Sequence, residues 1–306
     1  NNFFNEILGV MSPQQQDSLL SIPVENVAIH AFSQTNKQAI QISNNLFVDN
    51  TNNIRILHYT KVNISNNSMS ITNIGTTLLY PGRVGIEVVN DLASSVGMNI
   101  EIFENDIHGH DNGINYYLMN QSVLNNTFLR IEDNILDNLL IAAKSIFGIG
   151  VGANIPNTGN ITGINNWIIK DNVCERVAYG VQISGIKGPI LNVESNLIKL
   201  KGSSTPLTRR GIELINTRKV TLFDNRIHGT AITSTQISHT GIYCQMADQS
   251  TIKCNWIFKT GTAMRFLGPM PSTIIGNKIV NAFDGLVMAS AAVIGPQGNL
   301  TTPSDN

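Results

Sequence analysis

Residues 100–107 read IEIFENDI, an alternation of apolar residues followed by an asparagine, and this order recurs along the chain. IQISNNLF at 40–47 and VNISNNSM at 62–69 repeat it, with the asparagine always sixth. Alternating apolar residues predict a short half-buried strand, and the asparagine predicts a turn, because it tolerates left-handed backbone and bonds neighbouring main chain. The recurring asparagines are Asn45, Asn67, Asn105, Asn134, Asn172, Asn196, Asn225, Asn255 and Asn277.

A second unit, glycine-apolar-x-apolar, alternates with the asparagine unit from Asn67 onward. It reads GIEV at 85–88, GVQI at 180–183 and GIEL at 211–214. Glycine reaches positive φ without steric cost, so we expect these glycines at turns. Two or more short strands in every repeat are typical of a parallel β-helix. Because coils stack about 4.8 Å apart, one asparagine per coil should form a ladder of side-chain amides.

The two units resemble those of the right-handed parallel β-helix (pectin-lyase-like) superfamily. The resemblance covers residues 26–300 and implies an all-β solenoid of roughly nine to eleven coils. Residues 1–25 do not follow the repeat and are predicted to be an N-terminal cap or a linker. The polar tail at 301–306 is predicted to lead to further domains of a longer chain.

Composition narrows the class of protein. The chain has 306 residues, among them 39 asparagines and 41 isoleucines, and only 13% are charged. Its net charge of −1 argues against a general nucleic-acid binder, and no apolar run is long enough for membrane insertion. Three cysteines are too few for a disulfide framework, and Cys174 and Cys244 fall at inward strand positions. Such a composition resembles that of secreted bacterial proteins, including Bacteroidetes cargo, and predicts an extracellular or cell-surface location.

The repeat gives each residue a direction, and so identifies candidate catalytic residues. Positions four and two before each motif asparagine should point outward and line one face along the helix axis. Charged residues on and beside this face could act as base or charge stabiliser, or as acid or cation ligand. The candidates are Arg130 and Lys170 for the first role, and Glu132, Asp171 and Glu194 for the second.

Three acidic residues directly precede motif asparagines in consecutive coils. Glu104, Asp133 and Asp171 should therefore lie one strand spacing apart, and their repulsion should raise their pKa values. A hard cation such as Ca²⁺ would relieve this repulsion. A solvated surface in which Arg130 and Lys170 supply the counter-charge is the alternative interpretation.

Extra residues separate the asparagine and glycine units in four coils, at about 70–84, 137–147, 199–210 and 228–240. They fall at the same turn region, so they should project from one side, where many repeat proteins bind their ligands. Lys199, Lys201, Arg209 and Arg210 belong to the third insertion, within a stretch (187–226) of eight basic and three acidic residues. This charge predicts binding of an anionic glycan. Plain surface loops are the alternative.

The segment IHGHD at 107–111 offers two histidines and an aspartate for a ligand set or a general base. Because it joins an asparagine unit to a glycine unit, we expect an exposed turn. It does not match the signature of polygalacturonases, and no pectate-lyase pattern is found.

Two classes of function follow from these observations. The favoured one is a non-catalytic extracellular β-helix of a larger secreted or cell-surface protein, used as an adhesin, a stalk or a carbohydrate-binding domain. Its partners would be a polysaccharide or another cell-surface component. The alternative is a polysaccharide lyase, hydrolase or epimerase acting on an acidic glycan, so whether the chain is an enzyme stays open at this point. A phage tailspike-like domain is a lesser alternative.

Overall fold

A computed structural model describes residues 2–5, 27–33, 39–50, 52–71, 84–90, 98–118, 123–137, 147–153, 160–162, 166–202, 208–230, 239–270 and 272–294. Within these ranges the chain forms thirty-one strands, numbered β1 to β31 along the chain, and no helix. Successive strands pass in turn to three parallel sheets, so that each sheet gains one strand per coil.

Sheets 1 and 3 have ten strands each and sheet 2 has nine. Sheet 1 consists of β2 (Val27–Phe32), β5 (Asn52–Leu57), β8 (Val84–Asn90), β11 (Asn112–Leu118), β15 (Phe147–Ala153), β19 (Tyr179–Ser184), β22 (Arg209–Arg218), β25 (His239–Asp248), β28 (Thr262–Met270) and β31 (Asp284–Ile294). Sheet 2 consists of β3 (Ala39–Ser43), β6 (Lys61–Ser65), β9 (Asn99–Phe103), β13 (Phe128–Glu132), β17 (Asn166–Lys170), β20 (Ile190–Glu194), β23 (Val220–Phe223), β26 (Thr251–Lys253) and β29 (Thr273–Ile275). Sheet 3 consists of β1 (Asn2–Asn5), β4 (Asn45–Val48), β7 (Ser68–Ser70), β10 (Asp106–His108), β14 (Ile135–Asp137), β18 (Val173–Val177), β21 (Leu197–Leu200), β24 (Arg226–His228), β27 (Trp256–Phe258) and β30 (Lys278–Val280). Two further strands, β12 (Val123–Asn125) and β16 (Asn160–Thr162), pair with each other.

The core is built from columns of apolar side chains that repeat from coil to coil. In sheet 2 the residues at the second and fourth strand positions are buried and their neighbours are not, as in β13 and β17. Ile100, Leu129 and Trp167 form one such column, in register and fully buried. Each buried side chain of this size contributes roughly 1.5–3 kcal/mol. The fold is the predicted right-handed parallel β-helix, of about nine to ten coils.

The asparagine ladder is present along its full predicted length. At every step from Asn45 to Asn277 the side-chain carbonyl oxygen of one asparagine accepts two hydrogen bonds from the asparagine of the preceding coil, from its main-chain N–H and from its Nδ2. All nine are buried. The amide is required here because only an amide both donates and accepts in this geometry.

The left-handed backbone of this turn lies one residue earlier than we predicted. The ladder asparagines are not among the positive-φ residues; the residue before each of them is, at φ between 51° and 63°. Asn44 and Asn66 adopt this conformation readily, as asparagine commonly does. Glu104, Asp133 and Asp171 also have positive φ, although they are neither glycine nor asparagine. The prediction was wrong in this detail because sequence spacing locates a turn but not the residue that takes the unusual φ.

The recurring glycines serve close packing, not positive φ as we predicted. Gly85, Gly180 and Gly211 lie within strands of sheet 1 and have no positive φ. A Cβ on Gly211 would lie 2.6 Å from the carbonyl oxygen of Gly241 in the next coil, and one on Gly180 would be equally close to that of Gly211. The same Cβ would overlap an isoleucine of sheet 3. Glycine is therefore needed because two consecutive residues face the interior at this corner.

The ends of the repeat bear on the predicted cap. Asn2–Asn5 form β1, which pairs in parallel with β4. The first strand of sheet 3 therefore lies within the segment predicted as cap or linker. Residues 6–26 and 301–306, on which the rest of those predictions falls, lie outside the described residues. Cys174 and Cys244 are buried as predicted, and Cys254 is exposed.

Candidate functional site

The outer face of sheet 2 carries the predicted catalytic residues in the predicted register. One row places Phe103, Glu132, Lys170 and Glu194 on four adjacent strands, and a second row places Glu101 beside Arg130. The Arg130 guanidinium contacts the Glu132 carboxylate and lies 5.2 Å from the centroid of the Phe103 ring.

The cations of this face are engaged by neighbouring carboxylates. Lys170 Nζ lies 3.4 Å from Asp171 Oδ2, and both side chains are more than a third exposed. Asp171 raises the pKa of Lys170, by its charge first and by its hydrogen bond second. Exposed pairs of this kind are screened by solvent and contribute little to stability. The structure thus brings Arg130, Glu132, Lys170, Asp171 and Glu194 onto neighbouring positions of one surface, where Arg130 pairs with Glu132 and Lys170 with Asp171. Their catalytic role stays a prediction.

The three predicted carboxylates of the turn row lie on consecutive coils. Partial burial raises the pKa of Asp133, and the charges of Glu132, Asp171 and Glu104 raise it further, while Arg130 opposes them. This is the direction expected for stacked carboxylates. In the described part of the chain, however, no group of three or more His, Cys, Asp or Glu residues is arranged to hold a metal ion. The cation site at Glu104, Asp133 and Asp171 therefore stays a prediction.

The segment at 107–111 is not the exposed turn that we predicted. His110 and Asp111 are both buried, and His110 Nε2 lies 2.8 Å from Asn53 Nδ2, two coils away. His108 remains half-buried, with its Nε2 2.6 Å from Asp106 Oδ1. The prediction failed because His110 contacts Asn53, which lies 57 positions earlier in the sequence.

The basic residues of the third insertion divide into two pairs. Lys199 contacts Glu175, and Arg210 contacts Glu213, so each of these cations has an acidic partner. Lys201 and Arg209 lie at the corner between sheets 3 and 1, where burial lowers the pKa of both side chains. Each of the other three insertions likewise connects a strand of sheet 3 to a strand of sheet 1. Most of the inserted residues lie outside the described ranges, so their projection from one side stays a prediction.

Arg210 belongs to a polar network on the outer face of sheet 1. Its guanidinium lies 3.5 Å from the centroid of the Tyr243 ring. Glu213 accepts a hydrogen bond of 2.6 Å from Gln182 Nε2, and the Tyr243 hydroxyl donates to Gln245 Oε1 at 3.2 Å. Glu213 is only 1% exposed although its position faces outward, because these neighbours cover it.

An aromatic pair borders this network. Tyr179 is the register partner of Arg210 on the preceding coil, and its ring stacks on that of Phe147 at 4.9 Å between centroids. We name Phe147, Tyr179, Arg210, Glu213 and Tyr243 the sheet 1 face. Apart from Phe147 and Tyr179, these residues stand on β22 and β25, next to the third and fourth insertions.

Sequence reasoning missed most of this face. Gln182, Glu213 and Tyr243 occupy the third position of successive glycine-apolar-x-apolar units, the one that points outward. The sequence could therefore have predicted that these three side chains form a row on the outer face of sheet 1, as it did for the rows of sheet 2. The burial of His239, the first residue of β25, could not be inferred from spacing.

Comparison with known proteins gives one family match. Residues 150–293 match the model of a family described as periplasmic copper-binding protein (NosD). No match was found among curated proteins or among solved structures. No helix in the described ranges is long and apolar enough to cross a membrane. The family match is consistent with a periplasmic or extracellular location. The described structure has the fold of a right-handed parallel β-helix, and just under half of the chain, residues 150–293, is similar to NosD.

Proposed function

We propose that the chain is an extracellular or periplasmic β-helix domain of a larger protein, and that its sheet 1 face binds an acidic glycan. The observation that carries this proposal is Arg210, held between the Glu213 carboxylate and the Tyr243 ring while its side chain remains 21% exposed. A guanidinium oriented in this way offers further N–H donors to a carboxylate or sulfate group without losing its position.

The surroundings of Arg210 suit a sugar chain. The stacked rings of Phe147 and Tyr179 present an aromatic surface one coil away, and Gln182 and Gln245 offer amides on the same face. Carbohydrate sites combine a few oriented polar groups with apolar surface in this way. Stacked coils repeat such groups along the axis at one strand spacing, which fits an elongated ligand.

Charge favours an acidic ligand over a neutral one. The stretch 187–226 holds eight basic residues and three acidic ones, although the whole chain is close to neutral. A local positive field raises the rate at which an anionic polymer associates, and this effect weakens with salt.

Copper binding is not part of this proposal. Copper prefers thiolate, thioether and imidazole ligands. The Cys174 and Cys244 thiols face the core, and burial raises the pKa of Cys174 to about 12. In the described ranges no group of three or more His, Cys, Asp or Glu residues is placed to hold a metal ion, so the described residues do not fit a copper centre.

A binding assay tests the glycan proposal. Calorimetric titration with acidic and neutral oligosaccharides should show binding of the acidic ones only, weakening as salt rises. Arg210→Gln should reduce affinity about tenfold or more, as expected for loss of a charge-assisted bidentate contact. Arg218→Gln is the matched control: it lies on the same strand, and its Nε pairs with Asp248 at 3.3 Å.

Three results would count against the proposal: no binding to any acidic glycan, equal binding to neutral glycans, or equal loss in both variants. The first would leave a structural role as a stalk. The same samples, followed for unsaturated products in the ultraviolet and for new reducing ends, test the enzymatic alternative with Arg130, Lys170 and Glu132 as its residues.

A further inference from the structure

Three basic side chains meet where the chain passes from sheet 3 to sheet 1. Arg209 is the first residue of β22 and His239 is the first of β25, and the two are register partners on adjacent coils. Lys201 directly follows β21, and its main-chain N–H donates to the carbonyl oxygen of Val177 at 2.9 Å. Lys201 lies close enough to Arg209 that the charge of Arg209 contributes to lowering the pKa of Lys201, after burial.

Two of these side chains are buried, the third, Lys201, is half-buried, and all three have donor atoms without a partner in the described structure. Arg209 is 4% exposed and His239 is 1% exposed. Arg209 Nε, His239 Nδ1 and Lys201 Nζ are buried atoms for which the described residues provide no hydrogen-bond partner. Leaving a buried donor unsatisfied costs about 1–3 kcal/mol, and more when the group is charged.

No counter-charge for the cluster is available nearby in sequence. Residues 195–212 and 225–247, which contain both insertions at this corner, include no aspartate or glutamate. The neighbouring cation Arg176 is engaged by Asp137, its Nε lying 2.7 Å from Asp137 Oδ1. Burial lowers the pKa of Lys201, and the charges of Arg209 and Arg176 lower it further, as expected for cations facing one another.

We propose that Lys201, Arg209 and His239 form a pocket for one oxyanion, a sulfate, phosphate or carboxylate group. The Lys201 ammonium and the Arg209 Nε–H donate to its oxygens, and neutral His239 donates from Nδ1. This arrangement supplies an acceptor for each donor that lacks one, and a negative charge beside the buried Arg209 and the half-buried Lys201, which nothing else in the described structure does. The pocket is separate from Arg210, which already has the Glu213 carboxylate.

Inorganic sulfate is the probe for this site. Thermal unfolding of the whole chain is followed in sodium sulfate and in sodium chloride at equal ionic strength. Sulfate should stabilise the protein more than chloride does, with saturation, and Lys201→Met and Arg209→Gln should each weaken sulfate binding at least tenfold. Lys219→Met alters an exposed cation, and Arg218→Gln alters a cation paired with Asp248 at the surface. Both variants should bind sulfate as the original protein does.

A second readout does not depend on sulfate. Lys201→Met removes a half-buried cation whose Nζ has no partner in the described structure and which lies near the Arg209 charge, so it should raise the melting temperature in chloride. Equal stabilisation by both salts, unchanged sulfate affinity in Lys201→Met, or a lower melting temperature of that variant in chloride would overturn the proposal. The last result would mean that Lys201 already has a partner.

Competition with the glycan identifies the source of the oxyanion. If sulfate competes with an acidic oligosaccharide, the pocket holds an acidic substituent of the glycan. If both bind together, the pocket holds a free oxyanion, and the proposal stands in either case. If Arg210→Gln loses glycan binding but keeps sulfate binding, the two sites are separate. Failure of the glycan proposal therefore does not decide the oxyanion proposal.

Discussion

Asn196 offers the most direct test of how the ladder stabilises this fold. Its Nδ2 donates to the carbonyl oxygens of Ile169 and Glu194, both at 3.0 Å, and to Asn225 Oδ1 at 2.9 Å. Its Oδ1 accepts from the main-chain N–H and the Nδ2 of Asn172, both at 3.0 Å. Asn196→Ala removes these five bonds from a fully buried site.

The expected loss can be estimated from these bonds. At about 1 kcal/mol for each intramolecular hydrogen bond, five bonds amount to about 5 kcal/mol. The freed side-chain entropy returns up to about 1 kcal/mol, which leaves a loss of about 4 kcal/mol in the free energy of unfolding. Asn192→Ala is the matched control: Asn192 stands on the same coil in the outward row, and no described residue bonds its side chain. We expect it to cost less than about 1 kcal/mol.

Urea unfolding of both variants, followed by circular dichroism and compared at a common m-value, measures this difference. Because stacked coils can open locally, amide hydrogen exchange provides the second measurement. The main-chain N–H of Asn172 loses its acceptor in Asn196→Ala, so it should exchange faster in that variant only. The reasoning is refuted if the two variants lie within 1 kcal/mol of each other, or if protection of Asn172 is unchanged.

Three further predictions follow from burial and packing. Gly211→Ala should lower the free energy of unfolding by about 2–3 kcal/mol, because the added Cβ would overlap the next coil. Gly202→Ala should be nearly neutral, since a Cβ there would have its nearest neighbour atom at 3.5 Å. Equal melting temperatures of the two variants would contradict this prediction. Burial, and secondly the charge of Arg209, lowers the pKa of His239 to about 4, so the folded state disfavours its protonation. Stability should therefore be full above pH 6.5 and fall by up to about 3 kcal/mol as the pH drops towards 4, and His239→Gln should abolish that part of the slope in pH-dependent unfolding. A thiol reagent should label one cysteine of the folded chain, Cys254, and all three in denaturant; rapid labelling of a second would disprove the burial.

Much of the fold could be predicted because a β-helix repeats at one spacing. Counting from each motif asparagine placed Glu132, Lys170 and Glu194 side by side, and the register confirms it. The reasons given for asparagine and glycine were partly wrong. The left-handed residue precedes the asparagine, and Gly211 is needed for clearance, since pattern alone does not reveal backbone angles or distances between coils.

The candidate site was predictable only in part. Arg209 and Arg210 were both assigned to glycan binding from local charge, yet they face different surroundings. Arg210 turns outward onto Glu213 and Tyr243, whereas Arg209 is buried beside His239. Two adjacent residues in a sequence carry no signal that separates these environments.

The sequence by itself determined the order of strands, the inward columns and the asparagine ladder, because equivalent positions of successive coils must stack at one strand spacing. Only the tertiary structure decided which outward or corner side chains become buried and which stay without a partner. Insertions of unequal length separate Lys201, Arg209 and His239, so periodicity does not relate them. Their meeting at the corner between sheets 3 and 1 depends on how the coils pack there, and that packing creates the pocket to be tested.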